Sequence, residues 1–394
     1  MKRKLTVSLT ALYLLPWGMQ CLINEFMSVY VSSLDFATPK TVGEVIGLGA
    51  IITAISQLIW GYFASKAKRK NLVLSLSLIL VTAFSLLFLI PNITKLKLML
   101  FVILFYSCYM AHQPLIDTIA SESYMQSSHS FGFFRSFASL GYAIMGLLLV
   151  ILPTDNPALI FLYTGILAAL TLIFSLTLGK DSAESLSKES ETEKSTQKVK
   201  LRNLFTPAYL IFLIFTVVLF ASSSAISSFF AVYFTGKDHL NGCLNLFSSF
   251  VGIAAIAEWL LVMLFSKITK KLSANYIFAL TAAFGVLRAL TIYLAKTPGF
   301  AAVSFVFSAL YFGILWASAA PYVKKLAFNG ANAFAQGVWT VAAFGIGAFT
   351  GSFLGGIIAE DLGMRQLFLV VSCVLTLLAI SALFLIKEPK EKTA

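Results

Sequence analysis

A chain of 394 residues that is 59% hydrophobic and 12% charged, with a mean hydropathy of +0.88, is not a soluble globule, because soluble domains carry about twice that share of charge. The net charge of +12 raises nucleic acid as a partner, but the basic residues sit mostly in short segments beside apolar runs, which is the pattern that sets membrane topology. A lipid bilayer is therefore the expected partner, and nucleic acid is not.

Spanning a bilayer takes about 20 apolar residues, and the sequence offers twelve such runs. They cover roughly 6–32, 42–64, 71–90, 98–121, 131–152, 158–178, 208–234, 244–266, 274–295, 300–323, 333–358 and 366–387. Inside hydrocarbon every backbone polar group needs an internal partner, so each run is expected to be a helix. The basic start Met1-Lys-Arg-Lys resembles that of a signal peptide, but its apolar run reaches about Val31. That is too long for a cleaved leader and reads as an uncleaved first helix. With the N-terminus inside, the inner segments carry 21 of the 29 Lys and Arg, the outer segments six, and Arg135 and Arg288 lie within runs. This asymmetry predicts an even number of spans with both termini cytoplasmic, in the cell inner (plasma) membrane.

Residues 180–203 are polar, charged and free of aromatics, as a flexible linker is. They divide the chain into an N-terminal bundle (1–179) and a C-terminal bundle (204–394) of six helices each. The loop SKAKRK after the second run has a counterpart, SKITKK, after the eighth, a weak internal repeat of the kind transporters show. The expected fold class is all-α membrane protein, twelve transmembrane helices in two pseudo-symmetric six-helix bundles. The four cysteines (Cys21, Cys108, Cys243, Cys373) show no paired spacing and read as small core residues rather than ligands or disulfides. No phosphate-binding loop, metal cluster or nucleophile elbow occurs, so no cofactor and no enzymatic activity are expected, and transport would run on gradients.

Ionisable residues within membrane spans are functional candidates by default. The fourth and fifth runs place Asp117 eighteen residues before Arg135. A planar fork of donors beside a carboxylate suits solute hydroxyls; the same two residues could also form a salt bridge at the helix ends. Tyr142 lies seven residues after Arg135 on the same face, as a stacking ring or as ordinary packing. Glu258 in the eighth run is a candidate for carrying a proton or for a neutral hydrogen bond, with Arg288 in the ninth as the available counter-charge. Glu25 in the first run is a candidate proton site, a cavity-lining group with Gln20 and Asn24, or an interfacial acid. His112 reads as a packing residue, and His129 and His239 as solvated loop residues. Trp316 and Trp339 either border a cavity or pack. Gly347, Gly351 and Gly355, four residues apart, let helices approach closely.

On these residues the chain resembles the major facilitator superfamily over nearly its whole length. Within it, the chain is most similar to the oligosaccharide:proton symporters and the nucleoside:proton symporters. The segment Phe131 to Arg135 (FGFFR), followed by Gly141-Tyr142, matches the start of their fifth helix. The resemblance implies that Arg135 and Asp117 bind sugar, Tyr142 gives an aromatic platform, Glu258 matches a helix-eight carboxylate and Arg288 a helix-nine arginine. Two departures stand out. The loop motif after helix two has Ser65 where an acid is usual and Lys68 where a glycine is usual. Helix ten (YFGILWASAAPYV) lacks the histidine and glutamate that couple protons in the sugar permeases.

The resemblance and the residues together lead to the expectation of a monomeric proton-coupled importer of a small neutral polar solute, a sugar or oligosaccharide before others. Gln20 and Trp316 join Asp117, Arg135, Tyr142 and Glu25 as candidate substrate-binding residues, and Glu258, Arg288 and Glu25 are the candidate proton-coupling residues. A nucleoside:proton symporter and a multidrug/proton antiporter are the alternatives. The fifth helix lacks the glycine- and proline-rich motif common in exporters. A non-transporting receptor is disfavoured, because buried charges cost stability without a use.

Overall fold

The structure, a computed structural model, describes residues 2–67, 69–123, 131–177, 205–327 and 331–387. The linker at 180–203, His129 and Lys68 lie outside them. No strand occurs among the described residues, as hydrocarbon surroundings demand of a chain that does not close a barrel. Twelve helical spans follow one another: α1 (Lys2–Ser32), α2 (Pro39–Lys66), α3 (Lys70–Leu87), α4 (two pieces, Lys95–Tyr109 and His112–Ser123), α5 (Phe131–Leu148), α6 (Leu159–Thr177), α7 (Pro207–Thr235), α8 (Leu244–Ile268), α9 (Ala274–Leu294), α10 (Pro298–Leu326), α11 (Asn332–Asp361 with a wide turn inside it) and α12 (Met364–Leu385). Eleven of these are long and apolar enough to cross a membrane, and the twelfth, α5, has a shorter apolar core at Phe133–Leu148.

The differences from the expected runs have mostly local causes. α2, α7 and α10 begin one to three residues early, each at a Thr-Pro pair. Thr206 Oγ1 accepts from Tyr209 N and Thr297 Oγ1 from Phe300 N, while Thr38 Oγ1 accepts from Thr41 N. Threonine caps the first turn, and proline fits there because its missing N–H is one that has no helical partner anyway. The fourth run, read as one helix, is interrupted at Met110–Ala111. Pro114 cannot donate to the Met110 carbonyl, and its ring crowds that oxygen. The eleventh run, read as a regular helix, contains a π-helical turn at Val341–Gly347. The fifth run ends at Leu148 instead of Leu152.

The described contacts group into two units, Met1–Phe36 with Leu48–Thr196, and Ala37–Gly47 with Gln197–Ala394. In the first, α1 packs along α5 and α6, and α3 along α4 and α6. In the second, α7 packs along α11 and α12, and α9 along α10 and α12. These four pairings are the same with six added to each helix number; the second unit also packs α8 along α10.

The tightest crossings also correspond. A Cβ on Gly141 of α5 would stand 1.9 Å from the Leu14 carbonyl oxygen of α1, and one on Gly351 of α11 would stand 1.9 Å from the Ala221 carbonyl oxygen of α7. Only glycine allows such approach, and close backbone contact is a main source of helix association in lipid. Beside Gly351, Ser352 bridges to Ser224 (2.8 Å) and Ser228 (3.0 Å) of α7. Aromatic side chains fill the rest of each interior. Phe88 stacks on Phe161 at 4.0 Å in the first unit, and Phe212, Phe278 and Tyr322 cluster within 5.1 Å of one another in the second.

Candidate functional site

In the first unit α1 presents Tyr13, Trp17 and Gln20 along one face, since residues three and four apart lie above one another on a helix. The second piece of α4 brings Asp117 to this face, and the first turns of α5 bring Arg135. Arg135 Nη1 donates to Asp117 Oδ1 at 2.9 Å and to Oδ2 at 3.0 Å. Tyr13 Oη donates to Oδ1 at 2.7 Å. The guanidinium carbon also lies 5.1 Å from the Trp17 ring centre and 6.0 Å from that of Tyr13, within cation–π range.

The carboxylate thus holds three donor contacts, while Arg135 commits one of its nitrogens. The two side chains are 42% and 35% exposed, so the pair is reachable from outside the packed core.

A second pair sits farther along the same helices, where Tyr142 Oη donates to Glu25 Oε1 at 2.6 Å. Sequence spacing puts Tyr142 on the face of Arg135 but gives no sign of Glu25 as its partner. Gln20 is buried, and its Nε2 meets the Met110 sulfur at 3.4 Å, a weak acceptor. His112 is buried at the break in α4. Its Nδ1 lies 2.5 Å from the Tyr109 carbonyl oxygen, and its ring meets Trp17 edge-on at 6.1 Å. A ring so enclosed fits the packing role expected of it. His239 is exposed.

In the second unit Arg288 of α9 is buried, with its guanidinium 5.9 Å from the Phe312 ring centre on α10. Phe312, Trp316 and Phe344 form a run of nearly parallel rings: Phe312 to Trp316 is 6.0 Å at 11°, and Trp316 to Phe344 is 5.9 Å at 6°. Phe220 of α7 closes one side, 4.9 Å from Phe344. Trp339 is buried at 6.4 Å from Phe220, and its indole N–H has no partner among the described residues. Glu258 is half-buried on α8. Phe344 rides on the π-helical turn; such turns recur at functional positions.

Reasoning from sequence does not single out Tyr13, Trp17, Phe312 or Phe344. The first two carry a signal, an aromatic pair four apart in register with Gln20. The last two carry none, since aromatics are common throughout these runs. Among the described residues no group of His, Cys, Asp or Glu could hold a metal ion.

Twelve apolar helices in two units of matching packing, each with ionised groups set into it, define a multi-pass membrane transporter. A family model described as the MFS_1 like family matches residues 6–370. The maltose permease of Geobacillus stearothermophilus is 22% identical over 369 residues, covering 93% of this chain and 91% of that protein. Among solved structures, the nucleoside transporter NupG superposes with a TM-score of 0.84 at 16% identity, over 98% of this chain and 99% of that one. A D-xylose-proton symporter superposes with a TM-score of 0.74 at 15% identity, over the whole of both chains. The chain belongs to the MFS_1 like family, and its fold is that of the major facilitator transporters, which are not enzymes.

Proposed function

We propose that this protein is a proton-coupled symporter that imports a small neutral polar solute, a sugar or oligosaccharide, by alternating access of its two halves. The observation that carries this reading is the half-exposed Asp117–Arg135–Tyr13 network of charge-assisted hydrogen bonds. A polyol offers hydroxyl oxygens to Arg135 Nε and Nη2 and hydroxyl hydrogens to the carboxylate, and each charge-assisted bond contributes about 1.5–3 kcal/mol. Trp17 and Tyr142 supply rings for the apolar face of a pyranose. Gln20 and Glu25 on α1 and Trp316 on α10 complete the set of binding residues.

Coupling is assigned to Glu258 with Arg288 as counter-charge, and to Glu25, which stands in for the acid and histidine that α10 lacks. The protein works as a monomer in the plasma membrane with both termini cytoplasmic. The maltose permease and D-xylose symporter similarities support the sugar reading.

A nucleoside is the second reading. It is favoured by the parallel rings of Phe312, Trp316 and Phe344, which suit a planar base, and by the NupG superposition.

Uptake into proteoliposomes under an inward proton gradient tests both, with labelled disaccharides, monosaccharides and nucleosides offered in parallel. Accumulation of a sugar supports the first reading and accumulation of a nucleoside alone replaces it with the second. Failure of all to accumulate, with expulsion of a lipophilic cation, would show an exporter.

A further inference from the structure

The first unit contains a groove unrelated to its polar cluster. It has a volume of about 710 Å³ and lies between the second half of α2, the start of α3 and the end of the first piece of α4, within the size range of sites that hold small ligands. Ile55, Ile59, Phe63 and Leu76 form its walls, and Ser107 and Cys108 its floor.

The polar atoms near the floor are already bonded. Trp60 Nε1 donates to the Ser107 carbonyl at 2.8 Å, and Ser56 Oγ to the Thr53 and Tyr106 carbonyls. The interior therefore offers an occupant apolar surface and no hydrogen bonds.

The rim differs. Lys66, the last residue of α2, lines it, with its ammonium 4.5 Å from the Tyr62 ring centre. No carboxylate pairs with Lys66 among the described residues. The sequence from Gly61 to Lys70 holds four basic residues and no acidic one. An apolar trough open on one side, with the Lys66 ammonium at one end, is complementary to an amphiphile with a negative head.

We propose that this groove is a binding site for a single anionic phospholipid, one acyl chain lying along α2 and the phosphodiester against Lys66. A zwitterionic lipid has the same chains, but its own cation cancels most of the attraction. Basic pockets between membrane helices select anionic headgroups for this reason. The floor of the site is the last turn of α4 before its break, so an occupant braces the helix that carries Asp117.

The test uses the full chain in a detergent of neutral headgroup, given equal amounts of phosphatidylglycerol and phosphatidylcholine and read by native mass spectrometry. One lysine near such a headgroup gives roughly fivefold selection, so the expected result is one retained phosphatidylglycerol in about fivefold excess, with a raised Tm that phosphatidylcholine does not give. Lys66→Gln removes both effects. Leu76→Trp, which keeps the charge and fills the groove from a lipid-exposed position, also removes both and covers the case in which the first variant does not fold. Equal retention of the two lipids by the wild type, or undiminished phosphatidylglycerol retention in either folded variant, overturns the proposal. So does an equal Tm rise from inorganic phosphate alone, which would mark a simple anion site.

Discussion

The two units share a skeleton and differ in chemistry. The α1–α5 crossing through Gly141 and the α7–α11 crossing through Gly351 have the same clearance, 1.9 Å from a built Cβ to a carbonyl oxygen. Around the first crossing stand an ion pair, a tyrosine hydroxyl and a second carboxylate–tyrosine pair. Beside the second stand stacked aromatics, with a buried arginine packed on one of them. Backbone approach is a demand of helix packing and recurs wherever helices cross in the same way. Side chains facing a solute are free to diverge. One unit is therefore equipped to hydrogen-bond and the other to stack.

The largest effect expected is on the shared part. Gly141→Val and Gly351→Val both force backbone apart and are each expected to destabilise the protein by at least about 3 kcal/mol, read as loss of the monodisperse peak in detergent. A well-folded Gly141→Val beside an unfolded Gly351→Val would break the correspondence. Next comes coupling. Glu258→Gln is expected to abolish uphill accumulation while leaving solute exchange across the membrane intact; retained concentrative uptake would move coupling to the first unit, with Glu25.

Asp117→Asn removes a charge from a network of charge-assisted bonds, and kcat/KM for uptake is expected to fall about 10- to 100-fold. Tyr13→Phe, which deletes one donor, is expected to cost less than tenfold. Equal uptake by Asp117→Asn and wild type would leave the pair as a structural bridge only. The smallest effect is expected from Trp316→Ala. Loss of one ring contact is worth about 1 kcal/mol, a few-fold rise in KM, larger for a nucleoside than for a sugar if the second unit stacks a base.

The elements that lipid dictates are the most legible. Hydropathy locates all twelve spans, and a Thr-Pro pair marks the observed start of three of them. The break in α4 is also written in Pro114. The eighteen-residue spacing brings Asp117 and Arg135 together, because helices so close in sequence have few ways to pack. Tyr13 as a ligand of Asp117 lies 104 positions away, and Glu25 as a partner of Tyr142 lies 117 away. Nothing local encodes such meetings; they come from the packing of α1 against α4 and α5. The π-helical turn is not legible, since Val341–Gly347 has no residue that an ordinary helix would refuse.

That turn does something a regular helix could not. By fitting one surplus residue into a single coil, it lets the two ends of α11 keep different angular phases, offset by about 100°. The turn itself can then aim Phe344 at Trp316 while the regular helix after it keeps Gly351 against Ala221. The wide coil acts as a phase adjuster, so the chain on its solute side can change without disturbing the seam that holds the bundle together.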